Sequence, residues 1–159
     1  MSNRVVRRFK WHLGIALLVA LADVAMKTKV MSFLGSQQTS LYPVFNGFNL
    51  SVVWNTGVSF GLFRIFPSFV LLAITGGFVV GLLIWLYKND QPRERWALSL
   101  IIGGALGNIR DRVLYGAVYD FLDFYVGSYH WPAFNLADSC IVVGVLLLLY
   151  SQITPKKRV

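Results

Sequence analysis

Four long apolar blocks govern what this chain can fold into. They run roughly from Trp11 to Val30, Phe66 to Tyr87, Trp96 to Val113 and Pro132 to Tyr150. At about 1.5 Å per helical residue, each can cross a hydrocarbon core about 30 Å thick. Hydrophobic residues make up 56% of the 159 and charged residues only 14%, and the apolar residues come in blocks instead of at amphipathic spacing, which excludes a soluble domain. The expected fold is an all-α polytopic membrane protein with four transmembrane helices. A small extramembrane β-containing segment, about residues 35–65, lies on the outer side, and residues 1–159 form a single membrane domain.

The net charge of +8 would suit nucleic acid if it were spread over a face, but it is not. Arg4, Arg7, Arg8 and Lys10 precede the first block, Lys88, Arg93 and Arg95 separate the second from the third, and Lys156, Lys157 and Arg158 follow the fourth. With four spans these clusters share one side, the positive-inside pattern, so both termini are expected in the cytoplasm. The basic excess is then a topology signal with some attraction for anionic lipid, and no nucleic-acid partner is implied. Asp23, Asp111, Asp120, Asp123 and Asp138 fall within spans or on the outer side, leaving Asp90 and Glu94 in the cytoplasmic loop. Trp11, Trp85 and Trp96 fall at inner ends of spans and Trp54 and Trp131 at outer ends, as an aromatic belt requires.

The leader imitates a secretory signal, with Ala20-Leu21-Ala22 in the place of a cleavage site. Retention is expected, because the apolar run continues through Val24, Ala25 and Met26. The lone Cys140 excludes an internal disulfide and reads as a packing residue.

Along the chain, Asp23 and Lys27 stand at i and i+4 in the favourable order and read as a neutralising pair near the outer surface. Between Leu41 and Trp54, β-branched and aromatic residues surround an Asn46-Gly47 turn signal, so short strands are expected there, able to rest on the bilayer. Gly57-Val58-Ser59-Phe60-Gly61 matches the nucleophile-elbow pattern but lacks its strand-to-helix context. Gly77 and Gly81 form a small-xxx-small pair suited to close helix packing. Gly103 and Gly104 likewise admit a neighbouring backbone. Beyond them Asn108, Asp111 and Arg112 share a helical face, with an Asp111–Arg112 or Asp23–Arg112 pair as the simplest structural reading. After a turn at Gly116 come Asp120 and Asp123, three apart, so Asp123 is expected to face water. Asn135, Asp138 and Ser139 repeat the i, i+3, i+4 spacing.

Ionisable groups at this depth cost several kcal/mol and therefore mark function. Metal chemistry has no ligand set: there is no His-Glu-x-x-His, no cysteine pair, and His12 and His130 fall on opposite sides. No cofactor is implied. Two carboxylates brought close share a proton, so one can activate water while the other acts as acid towards a carbonyl. Asp120 and Asp138 are the expected pair. The alternatives are a serine intramembrane protease using Ser59 and His130, and a small transporter or assembly factor with an intramembrane polar relay.

Taken together, Asn55-x-Gly57-x-x-Phe60-Gly61, Gly107-Asn108-x-x-Asp111-Arg112, Gly116-x-Val118-x-Asp120-Phe121 and Phe134-Asn135-x-Ala137-Asp138 resemble the signature blocks of the lipoprotein signal peptidase (signal peptidase II) family, in order and spacing over nearly the whole chain. The resemblance implies a membrane aspartyl endopeptidase of the bacterial cytoplasmic (inner) membrane. It would remove the signal peptide from prolipoproteins by cutting before a diacylglyceryl-modified cysteine, near the outer (periplasmic) surface. On that basis Asp120 and Asp138 are catalytic. Asn55, Gly57, Asn108, Asp111, Arg112, Asn135 and Ala137 support the pair or line the substrate site, with Asp23 and Lys27 as further supporting groups. The implied partners are the lipid-modified substrate and membrane lipids, with no obligate protein partner. Val24 stands where the family commonly has glutamine, and Arg110 where an apolar residue is usual.

Overall fold

Residues 3–57 and 68–153 are described by a computed structural model. The chain is mostly helical, with α1 at Asn3–Ser36, α2 at Ser68–Lys88, α3 at Pro92–Tyr115 and α4 at Leu136–Ile153. The strands are β1 at Leu41–Phe45, β2 at Phe48–Asn55, β3 at Val118–Val126 and β4 at Tyr129–His130, and they form one antiparallel sheet in the order β1-β2-β3-β4.

α3 is the central helix, packed on α1, α2 and α4. Its glycines make this possible. A Cβ at Gly103 would meet the Ala16 carbonyl and Val19 on α1, and one at Gly104 would meet the Ala137 carbonyl on α4. The apolar core then forms from Ala16, Val79, Leu82, Leu86, Leu98, Ile101, Ile102 and Ala105, drawn from α1, α2 and α3. Gly77 and Gly81 correct the packing expectation for α2: both are exposed, with no atom within 4 Å of a built Cβ, so they face away from the bundle.

Two helices, α2 over Phe69–Lys88 and α4 over Leu136–Ile153, are long and apolar enough to cross a membrane on composition alone. α1 and α3 carry their polar groups inward, where Asp23, Lys27, Asn108 and Asp111 are all buried.

The Asn46-Gly47 turn closes the β1–β2 hairpin, with Phe45 paired to Phe48 and Gly47 at φ 99°. The sheet extends further than the outer segment read from sequence. β3 pairs with β2 through Val53↔Asp120, Trp54↔Tyr119 and Asn55↔Val118, and it lies after Gly116, outside the segment of about residues 35–65 where strands are expected. Its first four residues are all buried, so the alternation that announces a half-buried strand is missing. The fourth helix also starts later than Pro132. Phe134 bridges to Leu122 in extended conformation, and Asn135 caps the helix: its Oδ1 accepts from Asp138 N–H at 2.9 Å while Asp138 Oδ2 accepts from Asn135 N–H at 3.3 Å. This reciprocal capping box sets the helix start.

Candidate active site

The N-terminal end of α4, the C-terminal halves of α3 and α1 and the start of β3 converge on one polar cluster. Lys27 lies at its base. Its Nζ sits 2.8 Å from Asp23 Oδ2 and 2.8 Å from Asp111 Oδ2, and donates to Asn108 Oδ1 at 3.3 Å. One ammonium thus meets two buried carboxylates and an amide, which is how such charges are tolerated away from water. Asp23 has a second role, since its Oδ1 accepts the Ala137 main-chain N–H at 3.0 Å, one of the donors a helix start leaves unpaired. Gly107 makes room for it: a Cβ there would stand 2.6 Å from Asp23 Oδ2.

Above this base, asparagines connect the acids. Asn108 Nδ2 donates to Asp138 Oδ1 at 2.8 Å, and Asn135 Nδ2 donates to Asp120 Oδ1 at 2.7 Å and to Asn108 Oδ1 at 3.2 Å. Asn55 Nδ2 donates to Asp120 Oδ2 at 3.0 Å, while its Oδ1 accepts from Gly57 N–H at 3.0 Å. Asp120 is therefore held by two neutral amides and Asp138 by an amide and its own cap. Asp120, on β3 and outside the helices, has its carboxyl pushed up to about 7, first by burial and then by the neighbouring Asp138 charge, against the amides of Asn55 and Asn135 and the charge of Lys27. A carboxyl poised there can hold a proton near neutral pH while its partner is ionised.

Arg112 does not pair with Asp111 or Asp23. Its Nη2 donates to the Gly57 carbonyl at 2.9 Å, fixing the chain that leaves β2, and its charge acts on Asp120 and Asp138. Asp111 turns to Lys27, to Arg110 at 3.1 Å and to the Tyr119 N–H at 3.3 Å, so it joins α3 to β3. Tyr119 and Arg110 are contacts the spacing did not single out. Tyr119 lies on the opposite face of β3 from Asp120, and its hydroxyl, pushed up to about 12 by burial, donates to the Ser51 carbonyl at 3.3 Å.

Asp123 is buried, contrary to expectation. Its Oδ2 accepts from Asn49 Nδ2 at 2.8 Å and its Oδ1 lies 2.8 Å from His130 Nδ1. Its odd spacing from Asp120 puts it on the other face of β3, the face of Tyr119 and Phe121, which is buried as well. His130 is thereby engaged with Asp123 and stacked on Tyr125. Ser59, its suggested partner, lies outside the described residues, as do Phe60 and Gly61. Among the described residues no group of three His, Cys, Asp or Glu side chains is placed to hold a metal ion.

The chain is similar to known proteins over most of its length. The family model described as signal peptidase (SPase) II matches residues 15–154. The chain belongs to the signal peptidase II family. That makes it an aspartic-type peptidase. The lipoprotein signal peptidase of Burkholderia mallei (strain SAVP1) is 44% identical over 146 residues, covering 89% of this chain and 86% of the relative. That of Cupriavidus taiwanensis is 45% identical over 146 residues, covering 89% and 81%. Among solved structures, a bacterial membrane enzyme determined by the in meso method at 2.3 Å superposes with a TM-score of 0.77 at 27% identity, covering 94% of both chains. Another, at 1.9 Å, gives 0.74 at 27% identity, covering 94% and 95%. In this signal peptidase II family member, Arg110 spends its guanidinium on Asp111 and Tyr115, away from the two acids joined by Asn135.

Proposed function

We propose that this signal peptidase II family member removes the signal peptide from prolipoproteins, cutting N-terminal to a diacylglyceryl-modified cysteine, with Asp120 and Asp138 as the catalytic pair. The observation that carries the reading is Asn135. Its side-chain amide holds Asp120 at 2.7 Å while its main-chain N–H holds Asp138 at 3.3 Å, so a single residue links both acids. Coupled carboxyls keep one proton between them. The ionised member takes a proton from water as that water attacks the scissile carbonyl, and the protonated member donates to the carbonyl oxygen. The proton then passes to the leaving nitrogen as the C–N bond breaks.

The remaining polar residues have supporting roles. Asn55, Asn108, Asn135 and Arg112 hold the acids and the chain at Gly57, and Lys27, Asp23, Asp111 and Ala137 fix the helices that carry them. The protein acts as a single membrane domain with four spans in the bacterial cytoplasmic membrane, its first helix entering from the cytoplasm and the acid pair near the periplasmic surface. Support comes from Arg4, Arg7, Arg8, Lys10, Lys88 and Arg93 at one end of the bundle, with Trp11, Trp85 and Trp96 exposed there and Trp54 and Trp131 exposed at the other. A lipid attached next to the scissile bond requires cutting at that depth.

The test is cleavage of a diacylglyceryl-modified prolipoprotein by purified protein in detergent, with wild type beside Asp120→Asn and Asp138→Asn, with and without chelator. Loss of cleavage in both folded variants, with chelator harmless, supports the pair. Near-wild-type rate in either variant removes it.

A further inference from the structure

At the other end of α3, about 20 Å along the helix from Asn108, a second set of charges is buried, and it is not balanced. Glu94 and Arg95 are adjacent and only 6% and 2% exposed, yet they do not pair. Glu94 accepts from Asn89 Nδ2 at 2.6 Å and Gln152 Nε2 at 3.4 Å. Arg95 donates from Nη1 to the Asn89 carbonyl at 2.7 Å, and among the described residues its Nε and Nη2 have no hydrogen-bond partner. Those two nitrogens form the edge of a guanidinium that grips two oxygens of one phosphate or carboxylate at once. A buried charge left this way is strongly unfavourable unless an anion completes it.

The surroundings name the anion. Arg8, from α1, and Asp90, from the α2–α3 connection, are the charged groups that act on Arg95, and they meet each other only at 3.9 Å with side chains half and three-quarters exposed. His12 packs on Trp96 and contacts Ser99 Oγ at 3.1 Å, so it is already engaged. Trp11, Trp85 and Trp96 are exposed at this same end, the depth of lipid headgroups. Basic residues of α1, with Lys88 at the end of α2 and Arg93 at the start of α3, enrich anionic lipid there.

We propose that the Nε–Nη2 edge of Arg95, with Arg8 beside it, binds the phosphate of an anionic phospholipid headgroup, tying the ends of α1 and α3 together. The guanidinium edge has no exposed surface, so the phosphate enters only as the side chains around Arg95 move aside. This site is separate from the acid pair and does not depend on its chemistry.

The experiment uses full-length protein in detergent, followed by thermal unfolding and native mass spectrometry. It is titrated with phosphatidylglycerol, with diacylglycerol lacking the phosphate, and with inorganic phosphate. Phosphatidylglycerol is expected to raise the unfolding midpoint by about 4 °C or more near saturation, with diacylglycerol inert. Arg95→Lys keeps the charge but loses the paired donors, and should weaken phosphatidylglycerol binding at least tenfold, while Arg7→Gln leaves it within twofold. Equal binding by Arg95→Lys, or an equal loss in Arg7→Gln, means general attraction to a basic surface and overturns the site. Inorganic phosphate that gives the full shift and displaces the lipid overturns the lipid as the occupant. If Arg95→Lys does not fold, Arg8→Gln decides: one tightly held phosphatidylglycerol lost from it supports the site, and unchanged retention overturns it.

Discussion

Asp120 and Asp123 lie three residues apart on β3 and are both buried, yet they sit in different company. Asp120 meets two neutral amides and faces a second carboxylate, while Asp123 meets one amide and an imidazole. On the proposed mechanism, the same side chain is a proton carrier in one setting and a strand fastener in the other. Neighbours decide the role of a buried acid more than burial does.

The comparison breaks most sharply in activity. Asp120→Asn should lower cleavage by about 10²–10⁴-fold, the range for losing an acid–base group, whereas Asp123→Asn should retain most of the wild-type rate; comparable losses would erase the distinction. Lys27→Met tests the base of the cluster, since it leaves Asp23 and Asp111 buried without their cation. It should destabilise the fold by about 3–5 kcal/mol, read as a lower midpoint in denaturant or heat. Asn135→Ala removes the link between the acids. A hydrogen bond to a charged group is worth about 1.5–3 kcal/mol, so cleavage should fall about 10–100-fold with the protein still folded.

The pH dependence sharpens the contrast. With Asp120 raised to about 7 from 3.8, cleavage should decline as pH rises through about 7 and the shared proton is lost. Stability carries the same sign: the folded chain holds a proton the unfolded chain releases, so this contribution is full below about pH 4 and is lost as pH rises to about 7. Asp120→Asn should therefore gain on wild type in unfolding measurements at pH 8 compared with pH 5. The smallest effect belongs to His130→Gln. Its ring is about half exposed, and the change should cost within about 1 kcal/mol and leave the alkaline limb of the cleavage profile in place.

The helices were legible in the sequence because long apolar runs leave little choice, and Gly103-Gly104 announced a close approach that α1 and α4 provide. Gly77 and Gly81 carried the same local signal yet face outward, since small-residue spacing says that a helix can be approached and not that anything approaches it. β3 was hidden because Val118 to Phe121 is buried on both faces, and a strand without alternation reads like any apolar stretch. Asn135 and Asp138 were seen to be related, but by the wrong geometry. Their three-residue spacing belongs to a helix cap, so the contact is between side chains and main-chain N–H groups. The bond from Arg112 to the Gly57 carbonyl joins residues 55 apart in sequence, and no local spacing encodes such a pairing.

The ion pair within α1 has a consequence for how the protein is made. Asp23 and Lys27 stand one turn apart on α1, so each can be neutralised by the other before any other helix packs on them. Asp138 lies near the start of the last helix, and Ala137 N–H reaches Asp23 only when that helix arrives. The cluster is thus complete only once α4 has docked on α1, so a chain whose α4 is not yet in place does not carry Asp120 and Asp138 together.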